Sequence, residues 1–238
     1  MTGSKYQHVI ASGCSFTQDG IGGIPPTKQS PEGGNSYTHN PDLIVRTWAG
    51  YVAKQLNALS FFNLATSGRG NYHTYLTLLY TLMSDRYLYN KENTLVLFNI
   101  TDIGRLDLPV PYNSSDSSVW SFWDVDQIPF KFHKDPVQCY KIIQQEQAEV
   151  MSVLAIRSLI DFLENSKFEY RFVLMQNYLK DIRIKSIICN NPNLVLTPDG
   201  GMMEYVITNN ITVSETDHHP NIKGHEEIGT MVLTSLEI

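Results

Sequence analysis

Apolar residues along this chain fall into short solid runs separated by stretches of helical spacing. His8 to Ala11, Phe61 to Ala65, Leu95 to Ile100, Tyr170 to Met175 and Leu194 to Thr197 are runs of strand length. They are apolar along most of their length instead of alternating, as expected of strands covered on both faces. Between them, Val45, Trp48, Ala49, Val52 and Leu56 follow the i, i+3, i+4, i+7 pattern, as do Tyr72, Tyr75, Leu76 and Leu79. A longer helix is predicted from about Val137 to Leu163, with Val153, Ile156, Ile160 and Leu163 on one face. A last helix is predicted to start at the N-cap Asn221 and to bury Ile228, Met231, Val232 and Leu236. Alternating strands and helices of this kind imply an α/β protein, a mostly parallel central sheet between two helical layers. At 238 residues the expectation is one domain, 1–238.

Two segments break the alternation. Residues 20–42 are rich in Gly, Pro, Ser and Asn and are not expected to form a regular element. Residues 106–136 carry Tyr112, Trp120, Phe122, Trp123, Phe130 and Phe132 among prolines and serines. Long insertions within a compact domain are usually lids or binding loops. Both come directly after predicted strands, which places them over the carboxyl edge of the sheet, where open parallel sheets bind ligands.

Charge narrows the function classes. A net charge of -6 with no Lys/Arg-rich cluster argues against a nucleic-acid partner, whose phosphates need a basic face. No apolar run is long enough to span a bilayer, and the N-terminus has no signal-peptide core, so a cytoplasmic protein is expected. A phage-encoded or virion-associated protein would look the same. Cys14, Cys139 and Cys189 are odd in number and widely spaced, which favours reduced thiols over a disulfide framework or a metal site.

Four short blocks carry candidate chemistry. The first, Ser12-Gly13-Cys14-Ser15-Phe16-Thr17, leaves the first strand and exposes the Ser15 hydroxyl beside backbone N–H groups. It also reads simply as a turn with a helix cap. The second, Asn63 to Asn71, is a glycine-rich turn in which Gly68 can bring its N–H up to a ligand. In the third, Asn99-Ile100-Thr101-Asp102-Ile103-Gly104-Arg105, Thr101 or Asn99 can donate to an oxyanion and Arg105 can hold an anionic or sugar substrate. The alternative is a structural ion pair between Asp102 and Arg105. The fourth is Thr216-Asp217-His218-His219-Pro220. Pro220 forces His219 towards an extended backbone, and Asp217, two residues back, emerges on the same side. A carboxylate beside an imidazole is what a serine nucleophile requires, while two histidines next to an aspartate also admit a metal reading.

Taken in order, the four blocks resemble the SGNH, or GDSL-like, hydrolase superfamily along almost the whole chain. Gly13 to Thr17 is similar to its nucleophile turn. Trp48, Asn63 to Ala65 and Gly68 are similar to its second block, and Asp217 to Pro220 with Asn221, Gly224 and His225 to its last. The resemblance implies a flavodoxin-like three-layer fold, a Ser15–His219–Asp217 triad and an oxyanion site including Gly68, with no cofactor and no metal. In the third block Thr101 stands where the family usually has an oxyanion asparagine, unless Asn99 serves. Cys14 replaces a common aspartate, and one residue instead of two separates acid and base. The implied activity is hydrolysis of a short-chain ester, with acetyl on a carbohydrate as one candidate. Acyl transfer uses the same residues. The reading from another class is a non-catalytic carbohydrate-binding or virion structural protein of the same fold. The partner expected is a small-molecule or carbohydrate ester, with neither nucleic acid nor membrane; the oligomeric state stays open.

Overall fold

The computed structural model describes residues 5–18, 36–38, 47–84, 89–105, 107–111, 120–123 and 134–236. The first half contains β1 (His8–Ser12), β2 (Ser36–Thr38), α1 (Trp48–Gln55), β3 (Ser60–Asn63), α2 (Asn71–Ser84) and β4 (Thr94–Ile100). Then come β5 (Leu108–Pro111), β6 (Trp120–Trp123), α3 (Lys134–Ser166) and β7 (Glu169–Leu174). The last elements are α4 (Ile182–Ile188), β8 (Leu194–Val195), α5 (Met202–Thr208) and α6 (Ile222–Ser235).

The main sheet has the order β2-β3-β1-β4-β7-β8. All its neighbours pair in parallel except the edge strand β2, which runs antiparallel to β3. The chain steps outward from β1 to β3, then crosses back to continue on the other side through β4, β7 and β8. That reversal makes the carboxyl end of β1 a topological switch point, the place where sheets of this order open a crevice.

Strand residues sort by parity into two cores, since successive side chains leave opposite faces. Val9, Ala11, Leu95, Leu97 and Val173 join Trp48, Val52, Met202, Val206, Ile228 and Val232 from α1, α5 and α6. Ile10, Val96, Phe98, Ile100, Phe172 and Leu174 join Leu78, Leu82, Leu159, Leu163, Ile184 and Ile188 from α2, α3 and α4. Phe98 and Phe172 stack across β4 and β7 with ring centroids 5.2 Å apart. The fold is therefore the expected α/β/α sandwich.

Several elements differ from the sequence reading. Residues 20–42 show no periodic pattern, yet β2 lies there: three residues are too few to show a period, and pairing with β3 makes them a strand. Residues 106–136 contain the antiparallel hairpin of β5 and β6 and the start of α3. Tyr112, Phe130 and Phe132 lie outside the described residues, as does most of 20–42. Helices α4 and α5 have no counterpart in the sequence pattern. Each has only seven residues, two turns that give little periodicity, and α4 is set by the Asp181 carboxylate capping the N–H groups of Arg183 and Ile184.

His225 shows how tightly the layers close. It lies in the first turn of α6, buried, and its Nδ1 accepts the Trp48 N–H at 3.2 Å, joining α6 to α1. Only the neutral ring can accept there, and burial pushes its pKa from 6.5 down to about 3. Burial likewise takes His73 down to about 4, with the Arg69 charge adding to the effect. In both cases the unfolded chain takes up a proton that the folded state refuses, so stability is lost as pH falls below about 6.5. Urea denaturation should thus show lower stability at about pH 5 than at about pH 7, and His225→Gln should shrink that difference. An undiminished difference in the variant would remove His225 from the acid response.

Candidate active site

The turn after β1 is built around a buried amide. Asn99, in β4, is fully buried, and its Oδ1 accepts the Cys14 N–H at 3.1 Å and the Thr17 hydroxyl at 2.8 Å. Its Nδ2 donates to Cys14 Sγ at 3.3 Å. Trp48 Nε1 donates to Thr17 Oγ1 at 3.0 Å, and Asn63 Nδ2 donates to the Thr17 carbonyl at 2.8 Å. Side chains from β3, β4 and α1 thus converge on one short turn. Gly13 is forced by this packing: at φ +147° a Cβ would sit 1.8 Å from Asn99 Oδ1. The result is a rigid turn that holds Ser15 at the sheet edge, 8% exposed.

The loop before α6 brings the imidazole. Val213 N–H donates to the His219 carbonyl at 2.9 Å, Asn221 N–H donates to the Ile211 carbonyl at 2.9 Å, and the Asn221 side chain caps α6 at Gly224 N–H. This double tie closes the base of the loop and holds its His219 end, while the Asp217 N–H donates to Ser214 Oγ at 3.0 Å. His219 Nε2 lies 2.8 Å from Ser15 Oγ, and His219 Nδ1 lies 2.5 Å from Asp217 Oδ1. Asp217 Oδ1 also accepts the His219 backbone N–H at 3.1 Å. The bond from the ring, reinforced by that N–H, holds the Asp217 carboxyl below the usual carboxylate range. An ionised carboxylate only accepts, so Nδ1 carries the ring hydrogen and Nε2 faces Ser15 with its lone pair. Phe16 packs on the imidazole, with ring centroids 4.9 Å apart, and restricts it further. His218 is exposed. Among the described residues no group of three or more His, Cys, Asp or Glu side chains is placed to hold a metal ion.

The turn between β3 and α2 supplies backbone donors. Thr66 N–H donates to the Gly13 carbonyl at 3.0 Å, joining this turn to that of Ser15, and Ser67 N–H donates to Gln18 Oε1. Gly68 adopts φ +73°, a left-handed conformation that glycine takes without strain. Among the described residues neither the Ser15 N–H nor the Gly68 N–H has an acceptor. Asn71 clamps the turn to the end of β4: Thr101 N–H donates to Asn71 Oδ1 at 2.9 Å, and Asn71 Nδ2 donates to the Thr101 carbonyl at 3.1 Å. Buried Asp107 accepts the Gly70 and His73 N–H groups, both at 2.8 Å, capping α2 from outside its own segment.

Both side-chain oxyanion donors predicted in the third block are placed differently. Thr101 is fully buried; its N–H serves Asn71, while its hydroxyl accepts from Arg105 Nη1 at 3.0 Å and lies 3.5 Å from Met175 Sδ. Asn99 alternates to the face below the Ser15 turn and is engaged with Cys14 and Thr17. Asp102 Oδ1 accepts the Gly104 N–H at 2.9 Å. Arg105 Nη1 donates in addition to the Arg69 carbonyl at 3.2 Å. No sequence signal points to Asp107, Gln18, the Thr17–Trp48 contact or the clamp of Asn71, read in sequence as a helix cap, on Thr101, because each acts across a long sequence separation.

Removing the buried amide should therefore be costly. Asn99→Ala leaves the Cys14 N–H and the Thr17 hydroxyl without their acceptor, at about 1–3 kcal/mol for each stranded group. Chemical denaturation should register that loss. Gly13→Ala should be worse still, because its methyl group collides with the same oxygen. Wild-type stability in either variant would mean that the turn has another support.

No family model matches the sequence, and no curated protein matches it either. Solved structures do match in three dimensions. Two catalytic mutants of Axe2, an acetylxylan esterase from Geobacillus stearothermophilus, share 12% identity with this chain at a TM-score of 0.52. The alignments cover 99% and 100% of this chain and 96% and 97% of those. The protein YXIM from Bacillus subtilis matches at 11% identity and a TM-score of 0.53, over 98% of this chain and 56% of that one. Together with the strand order, these likenesses give the chain the fold of those structures, a single-domain three-layer α/β/α sandwich, the fold that the sequence resemblance implies.

Proposed function

We propose that the protein is a serine hydrolase that cleaves a carboxylic ester with a short acyl group. The observation that carries this reading is the continuous contact from Ser15 Oγ to His219 Nε2 and from His219 Nδ1 to Asp217. Ser15 Oγ attacks the acyl carbon as its proton passes to Nε2; the Oγ–C bond forms and the carbonyl π pair moves onto oxygen. The Asp217 carboxylate stabilises the imidazolium that results. The Ser15 and Gly68 N–H groups lie at the two turns flanking the reacting carbon and receive the oxyanion. Collapse of the intermediate expels the alcohol, which takes the proton back from Nε2. Water then repeats the sequence on the acyl-enzyme, and a second alcohol in its place gives acyl transfer. The chemistry calls for no cofactor.

An acetylated carbohydrate is the substrate class we favour. Axe2, which has a similar fold, is an acetylxylan esterase, and the β5–β6 hairpin beyond β4 carries Trp120 and Trp123, ring types on which sugar faces stack. A carbohydrate-binding or virion structural role would leave the Ser15–His219–Asp217 contact without a purpose.

p-Nitrophenyl acetate should be turned over, because it needs only nucleophile, base and oxyanion donors. Ser15→Ala and His219→Ala should each reduce kcat by a factor on the order of 10⁴ or more, and the double variant should be no slower than either. A fluorophosphonate probe should label Ser15 alone. Complete inactivity of the wild type on acetyl esters and acetylated glycans, with no labelling, would decide for the binding role.

A further inference from the structure

Two contacts at the edge of an imidazole do not fix its plane. Asp217 Oδ1 holds Nδ1 of His219, and Ser15 Oγ meets Nε2 at 2.8 Å. A ring held only at those two atoms can still tilt about the line that joins them. A third contact, on a ring face, removes that freedom. Phe16 supplies it: its ring centroid lies 4.9 Å from that of His219, with the two planes inclined by 37°. Among the described residues no other aromatic side chain makes a ring contact with His219. The His219 side chain is 28% exposed, so the surrounding protein does not enclose it on all sides.

Phe16 is itself held firmly. It follows Ser15 directly, is 5% exposed, and belongs to the core that also holds Trp48, Met175 and Ile211. The Thr17 and Gln18 N–H groups both donate to the Cys14 carbonyl, at 2.9 and 3.0 Å, folding the backbone into a turn around residues 15 and 16. Asn99 ties that turn at Cys14 and at Thr17, one on each side of the Ser15-Phe16 pair. One short turn therefore presents two groups to one imidazole, a hydroxyl to its edge and a phenyl ring to its face.

We propose that Phe16 is a positioning residue for His219, setting the plane of the imidazole so that Nε2 stays aimed at the reacting oxygen through both halves of the reaction. This rests on the ester-hydrolysis reading above and deepens it. In the free enzyme the Ser15 hydroxyl helps to orient the ring. Once the acyl group is on Oγ, that oxygen has no hydrogen left to donate, and the incoming water must find Nε2 already aimed. Asp217 and Phe16 then carry the orientation, so the phenyl wall counts most in the second half. The negative face of a phenyl ring also suits the imidazolium that forms in each half. Phe16 neither gives nor takes a proton.

The experiment combines kinetics on p-nitrophenyl acetate, fluorophosphonate labelling, thermal melting and proton NMR of the His219 Nδ1–H. That proton resonates far downfield when bonded to a carboxylate, and its signal broadens as the ring becomes mobile. Phe16→Ala should lower kcat by a factor on the order of 10–10², with KM unchanged or lower. Labelling of Ser15, which needs only the first attack, should slow less than turnover, and p-nitrophenolate should appear in an initial burst as acyl-enzyme accumulates. The Nδ1–H resonance should broaden. Phe16→Leu, which keeps an apolar wall, should lie between wild type and Ala in both turnover and resonance. Leu163→Ala, a cavity in the core on the other face of the sheet, should melt lower yet keep wild-type kcat and resonance, which separates position from stability. Folded Phe16→Ala with wild-type kcat and a sharp resonance, or with a loss confined to a raised KM, would overturn the assignment. If Phe16→Ala does not fold, the same results in Phe16→Leu overturn it. A wild type that neither turns over nor labels would sink the ester-hydrolysis reading, while the resonance in wild type and variants would still show whether Phe16 holds the ring.

Discussion

A single buried side chain, Asn99, underlies the arrangement of everything at the carboxyl edge of the sheet. It lies in the middle of the sheet, where its amide has no access to water, so its hydrogen-bonding capacity must be met by protein. The turn after β1 meets it with the Cys14 N–H and the Thr17 hydroxyl. Satisfying that amide fixes where the turn can lie, and only a residue without a Cβ fits at Gly13. The requirement then spreads outward: Thr17 accepts from Trp48, Trp48 N–H donates to His225, and His225 lies in the same helix that Asn221 caps. The loop bearing His219 is therefore connected to the turn bearing Ser15 through the core as well as across the cleft. A dry amide beneath Ser15 gives a 2.8 Å contact over 204 residues of sequence separation a mechanical basis.

Histidines in this region divide by environment. His225 is sealed between α1 and α6, accepts a backbone N–H and stays neutral far into acid. His219 lies partly open, with a carboxylate on one nitrogen and a hydroxyl on the other. His218 is exposed to solvent. The same ring is a core element, a bridge between a carboxylate and a hydroxyl, or a surface group according to what surrounds it, and the second setting is the one that general acid–base chemistry uses.

Much of the framework could be read from the sequence, because solid apolar runs and a 3.6-residue period are local properties. Five strand runs, the long helix ending near Leu163 and the capped last helix are all legible in this way. Ser15, Asp217 and His219 stand out because their neighbours are informative: a glycine turn before one, a proline after another. The hidden features are short or distant. Two turns of helix, as in α4 and α5, carry too little period, and a three-residue edge strand such as β2 exists only because β3 offers it a partner. Asn71 with Thr101 and Asp107 with Gly70 meet across 30 and 37 positions, and their residue types imply no pairing. Reading Thr101 by its place in the block alone puts a donor in the cleft. Its burial shows that position and role have come apart.

That separation says something about how such a site tolerates change. A cleft that must stabilise negative charge needs donors at a place, not a particular residue at a position. At the end of β4 the side chain of Thr101 is buried, and Arg105, four residues later, reaches back to its hydroxyl. The Thr101 hydroxyl, 3.0 Å from Arg105 Nη1, is one anchor of the guanidinium. The Arg69 carbonyl provides the other, tying the guanidinium to the turn that already presents Gly68. Rigidity counts because donors fixed in place beforehand are worth more to a developing charge than donors that must reorganise. The two Nη1 contacts of Arg105 thus tie the loop after β4 to the turn after β3, so that the backbone donors at the sheet edge are held from both sides.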